Sequence, residues 1–286
     1  MKELWRRTTA LFWQYPILWL PVLVADLFGF VLRQCEQGLS HSITSWLVQQ
    51  SHGSVLGGAP DSAQLRTLTF EAIALTAPLK WGSYFATILA YTVALAVTAG
   101  LVRQALQGST PVFRSGLVSL APKAGPALVL AAKVLGLCLA GFALMAIPIW
   151  SETLLSPRNL GYLIASVWLA VVAYFSVPLA IRFLQAGTIP NSRTAVAYSR
   201  IIAIAAVTCS VLLTFFCAKA ESSILVLQYQ GQMFARTVTE AGASLITAFP
   251  YIPLFIFLAL GASEPEAARL SDENPSIISD APDAVD

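Results

Sequence analysis

The stretch RSGLVSLAPKAGPALVLAAKVLGLCLAGFALMAI, Arg114–Ile147, sets the reading of the whole chain. It opens on a basic, half-apolar foot, Arg114–Lys123, and continues as a long apolar run with Lys133 inside it. The N-terminus repeats the plan at a constant offset: Arg7 falls on Arg114, Ala25 on Ala132, Gly29 on Gly136, and Asp26 on Lys133. A third foot opens at Arg193-Thr194-Ala195-Val196-Ala197-Tyr198-Ser199-Arg200. The pattern predicts three hairpins, each a foot helix followed by two membrane spans.

Composition agrees. The chain is 57% hydrophobic and 11% charged, with a mean hydropathy of +0.71, whereas soluble domains carry about 25% charged residues. The formal net charge of +2 conceals an asymmetry. Acids collect after Gly261 (Glu264, Glu266, Asp272, Glu273, Asp280, Asp283, Asp286) against the lone base Arg269, which leaves the body basic. A basic membrane body suits anionic lipid headgroups, and no basic–aromatic strip argues for nucleic acid. Cys138, Cys209 and Cys217 lie in apolar runs as small hydrophobes, and the four cysteines make no disulfide framework or metal-ligand spacing.

A spanning helix needs about 17–25 mostly apolar residues. The runs Ile17–Leu32, Trp81–Val102, Ala124–Ile147, Leu160–Ile181, Ile201–Ala218 and Gly242–Leu260 meet or approach this. The fold class expected is an all-α polytopic bundle of six transmembrane helices with added interfacial helices. Its membrane domain covers 1–262, in hairpins of about 1–107, 108–187 and 188–262, and 263–286 is read as a disordered acidic tail. Lys2, Arg6 and Arg7 before an apolar run resemble a signal peptide, but Asp26 inside the run and the lack of a small-residue cleavage site favour a retained first span. Pro21, Pro178, Pro250 and Pro253 read as kinks, with the sixth span the least regular.

Basic residues set the orientation. A cytoplasmic N-terminus collects Lys2, Arg6, Arg7, Arg103, Arg114, Lys123, Arg182, Arg193, Arg200 and Arg269 inside, leaving Arg33, Arg66, Lys80, Arg158, Lys219 and Arg236 outside. The asymmetry predicts both termini in the cytoplasm. Outer stretches Gly38–Gln50 and Gln64–Ala77 carry apolar residues at helical spacing and read as helices lying on the outer interface or capping the bundle, joined by a Gly/Pro turn.

The run Phe12-Trp13-Gln14-Tyr15-Pro16-Ile17-Leu18-Trp19-Leu20-Pro21, with the later foot Ser192-Arg193-Thr194-Ala195, resembles bacterial six-span proteins related to the membrane domain attached to some glycerophosphodiester phosphodiesterases. The resemblance covers about Met1 to Leu260. It implies interfacial feet before odd-numbered spans and residence in a bacterial inner membrane. It carries over no chemistry, because this chain has no phosphodiesterase domain, and no functional residue of that family maps here.

Two sets of site residues emerge. Asp26 and Lys133 are ionisable residues inside spans, each costing about 2.5–3.5 kcal/mol on insertion scales, and such groups are tolerated when paired or facing water. Their equal depth allows an ion pair between the first and third spans. It would serve either as an ordering device or as a gate or substrate-binding charge; otherwise Lys133 snorkels to an interface. Arg6, Arg7, Arg114, Lys123, Arg193 and Arg200 are placed to contact inner-leaflet phosphates. His41 and His52 make no metal motif, no G-x-S-x-G elbow or phosphate loop is present, and no cofactor is expected. The function expected is non-enzymatic: a scaffold or lipid-engaging factor in envelope organisation, with membrane lipids, another membrane protein or both as partners. A small transporter using Asp26 and Lys133 is the rival. A water-accessible cleft reaching Asp26 would favour the rival, and a dry, packed pair the scaffold.

Overall fold

The computed structural model describes residues 2–54, 62–118, 120–150, 157–185, 193–227 and 233–273. They form an all-α polytopic bundle: α1 (Lys2–Gln14), α2 (Leu20–Ser54), α3 (Ser62–Leu106), α4 (Phe113–Val118), α5 (Ala124–Trp150), α6 (Pro157–Gln185), α7 (Arg193–Leu227), α8 (Met233–Ala248) and α9 (Tyr251–Glu273). Six segments are long and apolar enough to cross a bilayer: Pro16–Leu47, Ala74–Leu106, Phe113–Ala140, Val167–Gln185, Val196–Thr214 and Thr237–Ala262. The protein is therefore a multi-pass membrane protein. Its outer surface is apolar, as a lipid-facing surface must be: Val24, Leu27, Phe28, Val31, Leu128, Val129, Phe175, Ile201 and Leu212 are all exposed.

The half of the bundle that holds α1 is organised around α9. Ile252 and Leu254–Leu260 are buried, enclosed by α1, α3, α6 and α7. No water-driven collapse operates between helices in lipid, so close steric fit must hold them together. Gly29 supplies one such fit. A Cβ there would lie 2.8 Å from Thr87 Cγ2 on α3, so only glycine admits the observed α2–α3 approach. Gly116 does the same for α4, where a Cβ would sit 3.0 Å from Val97 Cγ1 and 3.2 Å from the Val97 carbonyl oxygen. Gly136, which matches Gly29 in the repeat, faces open space.

Helix ends follow local chemistry. Gly108, at φ 73°, closes α3: its N–H bonds the Ala105 carbonyl while Ser109 N–H bonds the Gln104 carbonyl, both at 3.1 Å. This is the left-handed glycine cap, and it turns the chain back so that α4 docks on α3. Pro16 begins a 3₁₀ turn, Pro16–Leu18, between α1 and α2. Pro21 sits in the first turn of α2, where its missing N–H costs nothing. It is thus a helix start and not the expected kink. Pro250 separates α8 from α9, and Phe249 N–H to Ile246 O at 3.3 Å and Ile252 N–H to Phe249 O at 3.2 Å carry the chain across the break. The sixth span is the broken one, as its prolines foretold.

Three expectations change. The outer stretches 38–50 and 64–77 do not lie on the interface as separate helices; they continue α2 and α3. At about 1.5 Å per residue, the 35 residues of α2 reach about 52 Å and the 45 residues of α3 about 68 Å, well past a hydrocarbon core of about 30 Å. The connecting turn, 55–61, lies outside the described residues. The third foot is not a separate helix either, since α7 is continuous from Arg193 through its span; no proline or glycine interrupts it. Finally, α9 runs on to Glu273, so 263–273 is helical where a disordered tail was expected. Ala, Glu, Arg and Leu there favour helix; 274–286 lies outside the described residues.

The first foot is a helix, but it does not bury its apolar stripe in lipid. Leu4, Thr8, Leu11 and Phe12, one face at helical spacing, are buried, and α1 packs along α9, with Trp5 and Phe257 ring centroids 6.3 Å apart. Trp19 donates its indole N–H to the Phe12 carbonyl at 2.8 Å. Its ring also stacks on Phe12 at 4.8 Å and meets Phe249 edge-on at 5.6 Å. This aromatic knot joins the α1–α2 turn to the α8–α9 break, pinning two irregular points of backbone to each other.

Candidate functional site

The site is built on two helix faces. On α2, Asp26, Phe30, Arg33, Gln34 and Gln37 recur at intervals of three and four and so share a stripe. On α8, Glu240, Ser244 and Thr247 do the same. The two stripes meet, since α2 packs on α8 as well as on α3.

Asp26 is buried where they meet. Tyr91 of α3 donates its hydroxyl to Asp26 Oδ1 at 2.9 Å, and Ser244 of α8 donates to Oδ2 at 2.6 Å. Arg33 Nη2 in turn donates to Ser244 Oγ at 3.0 Å, and its Nε reaches the Gly29 carbonyl at 3.3 Å. The Ser244 hydroxyl therefore gives its one proton to the carboxylate and accepts one from the guanidinium. A negative and a positive charge in the membrane are linked through a single oxygen. The chain of polar groups continues into α7: Thr247 donates to the Ser244 carbonyl at 2.7 Å, and Ser210 donates to the Thr247 carbonyl at 2.8 Å.

Above this node lies a cleft of about 240 Å³, open to the exterior and lined by Phe30, Arg33, Gln34, Gln37, Thr214, Cys217, Glu240, Ala243, Ser244 and Thr247. Gln34 Nε2 donates to Glu240 Oε2 at 2.9 Å across it. Its level follows from α2: Arg33 and Gln37 lie 17 and 21 residues past Pro16, where the first span begins, which is about 25–32 Å along a helix against a hydrocarbon core of about 30 Å. The cleft thus sits near the membrane boundary on the side opposite α1, with Asp26 one hydrogen bond beneath its floor. The side chains supply a cation, a carboxylate, amides and hydroxyls on an apolar ground, enough to orient a polar ligand.

Asp26 and Lys133 are not brought together. Among the described residues Asp26 enters no ion pair, and Lys133 is exposed on α5. The first and third spans are not neighbours: α2 packs on α3 and α8, while α5 packs on α3 and α6. Spacing from the feet is silent about which helices touch. Replacing Asp26 by Asn and Lys133 by Met should therefore give additive losses, within about 0.5 kcal/mol for sites that do not meet, in a thermal-unfolding double-mutant cycle. A coupling energy well above that would restore the pair.

The basic feet divide. Arg6 and Arg7 are exposed and both hydrogen-bond Glu3 Oε1, at 3.0 and 3.2 Å. Those bonds, Arg6 first and then Arg7, hold the Glu3 carboxyl below the usual carboxylate range. Arg114 is exposed on α4. Lys123 instead turns inward, donating to the Leu184 carbonyl at 3.1 Å near the C-terminus of α6, over the Phe183 ring. A cation at the carbonyl end of a helix is well placed against its dipole. Arg200 also serves the bundle, bonding the Tyr174 hydroxyl at 2.9 Å and lying 4.1 Å from that ring's centroid. Arg193 opens α7, and its side chain lies outside the described residues.

Arg33, Gln34, Gln37, Tyr91, Glu240 and Ser244 were not among the sequence candidates. The signal was present as the polar stripe running on from Asp26, but ending the first span at Leu32 assigned Arg33 to a flank. His41 is exposed on α2, away from the cleft lining, and the side chain of His52 lies outside the described residues. Among the described residues no three His, Cys, Asp or Glu side chains gather at a metal-binding distance. Compared with known proteins, the chain matches no family model, no curated protein and no solved structure.

Proposed function

We propose that this protein is a non-enzymatic, lipid-engaging factor of a bacterial inner membrane, with both termini cytoplasmic, and that its boundary cleft receives the polar head of an outer-leaflet lipid. The cleft itself carries the reading. It is polar and open, and it lies along α2 about one hydrocarbon thickness past Pro16, where lipid headgroups reside. The foot side adds a second contact with lipid through Arg6, Arg7 and Arg114, which are exposed beside the apolar body; near an anionic surface each such base contributes about 1 kcal/mol. The orientation rests on the basic connections 103–123 and 182–200, and the bacterial setting on the resemblance to six-span bacterial proteins.

One observation favours a second reading, a small carrier. Asp26 sits within the membrane on two hydroxyl donors, and ionisable residues inside spans mark substrate and ion paths in carriers. Native mass spectrometry of the gently extracted protein separates the two. Retained phospholipid that is lost in Arg33→Ala supports the lipid reading. A lipid-free protein whose liposomes show proton-coupled solute uptake, abolished in Asp26→Asn, would replace it with the carrier.

A further inference from the structure

The chemistry of the cleft goes further than lipid in general. We infer that the head it selects is zwitterionic, a phosphate or carboxylate joined to an ammonium group, and this rests on the lipid reading for its source. Arg33 is the anion-binding group. One guanidinium nitrogen bonds Ser244 and Nε bonds a backbone carbonyl, and the planar fork has further N–H groups to offer an oxyanion. Glu240 supplies the opposite charge in the same lining. It stands about one helical turn, about 6 Å of axial rise, before Ser244 on α8, and Ser244 is the residue that Arg33 binds.

Gln34 and Gln37 lie between and beside these poles. Gln34, already donating to Glu240, fixes the carboxylate against α2 and leaves its own carbonyl oxygen to accept from an ammonium. Gln37, Thr214 and Thr247 add neutral donors and acceptors. Phe30, Cys217 and Ala243 give the apolar wall along which the first methylenes of a lipid would run. A purely anionic head would gain Arg33 but meet Glu240, and a purely cationic one the reverse. A head carrying both charges meets the opposite sign at each pole.

The test uses the full chain in detergent, incubated with phosphatidylethanolamine, phosphatidylcholine and phosphatidylglycerol of identical acyl chains. Bound lipid is read by native mass spectrometry, with thermal unfolding recorded for every variant. The wild type should retain the ethanolamine lipid about tenfold over the glycerol lipid, the ratio of one charge-assisted contact. Glu240→Gln should bring that ratio close to one while preserving binding of the glycerol lipid, and Arg33→Gln should weaken all three. Equal retention of the ethanolamine and glycerol lipids by the wild type would overturn the zwitterion and leave the lipid reading standing, whatever the variants do. Failure of any lipid to bind, with soluble O-phosphoethanolamine raising the unfolding temperature and that rise lost in Glu240→Gln, would keep the zwitterion and remove the lipid. Neither lipid nor O-phosphoethanolamine binding would overturn both.

Discussion

Replacing Asp26 with alanine should lower the unfolding temperature more than any other single change near the cleft. The carboxylate accepts from Tyr91 and Ser244 at once, and alanine leaves both hydroxyls without that acceptor, with Arg33 no longer linked to a counter-charge. Two effects oppose. Removing a buried carboxylate relieves its desolvation, which can make replacing a whole buried polar group close to neutral. Removing only one partner, however, leaves the others unsatisfied, at about 1–3 kcal/mol each in a protein interior. Interhelical hydrogen bonds in membrane proteins average nearer 0.6 kcal/mol, with a maximum of about 1.7. Two charge-assisted bonds therefore give an expected loss of about 1–3 kcal/mol. Asp26→Asn keeps one acceptor oxygen and should lose less. Detergent thermal unfolding should rank wild type above Asn above Ala. An alanine variant as stable as the wild type would mean the node contributes nothing to the fold.

The second large effect concerns two glycines that the repeat treats as equivalents. Gly29→Ala should destabilise, because the new methyl lands 2.8 Å from Thr87 Cγ2 and 3.3 Å from its Oγ1. Overpacking of this kind costs about 1–3 kcal/mol. Thr87→Ser removes the nearer obstacle and keeps a hydroxyl for the bond to the Ser83 carbonyl, now 2.8 Å, so the double variant should recover most of the loss. Gly136→Ala should go the other way. Nothing lies within 4 Å of its Cβ position, and alanine in a helix interior is favoured over glycine by about 0.5–1 kcal/mol. Opposite signs at the two positions would establish that the repeat shares a plan without sharing contacts. A loss at both would point to a partner on α5.

The internal repeat was legible because it is written in local features: a base, a short apolar foot, then a run. Its consequences for packing were not. Arg7 stays exposed and pairs with Glu3, Lys123 turns to the Leu184 carbonyl, and Arg200 lies against Tyr174 on the bundle surface, though all were read alike as lipid contacts. Position near a span end fixes a residue's height in the membrane; it does not fix the direction in which the side chain leaves its helix.

The sequence alone determined that this is an all-helical membrane protein, which runs cross, and that the sixth crossing is the least regular, at Pro250 and Pro253. Span hydropathy is summed over about twenty consecutive residues, and a proline's missing donor acts on its own turn, so neither needs a partner to be read. Tertiary structure decided that Asp26 meets Tyr91 and Ser244 in place of Lys133, that α1 buries its stripe on α9, and that Arg33 and Glu240 face one cleft. In a soluble helix the apolar stripe announces the buried face. In a bilayer, lipid and protein neighbours are equally apolar, so that announcement is lost, and only the arrangement of the helices around one another reveals which faces touch.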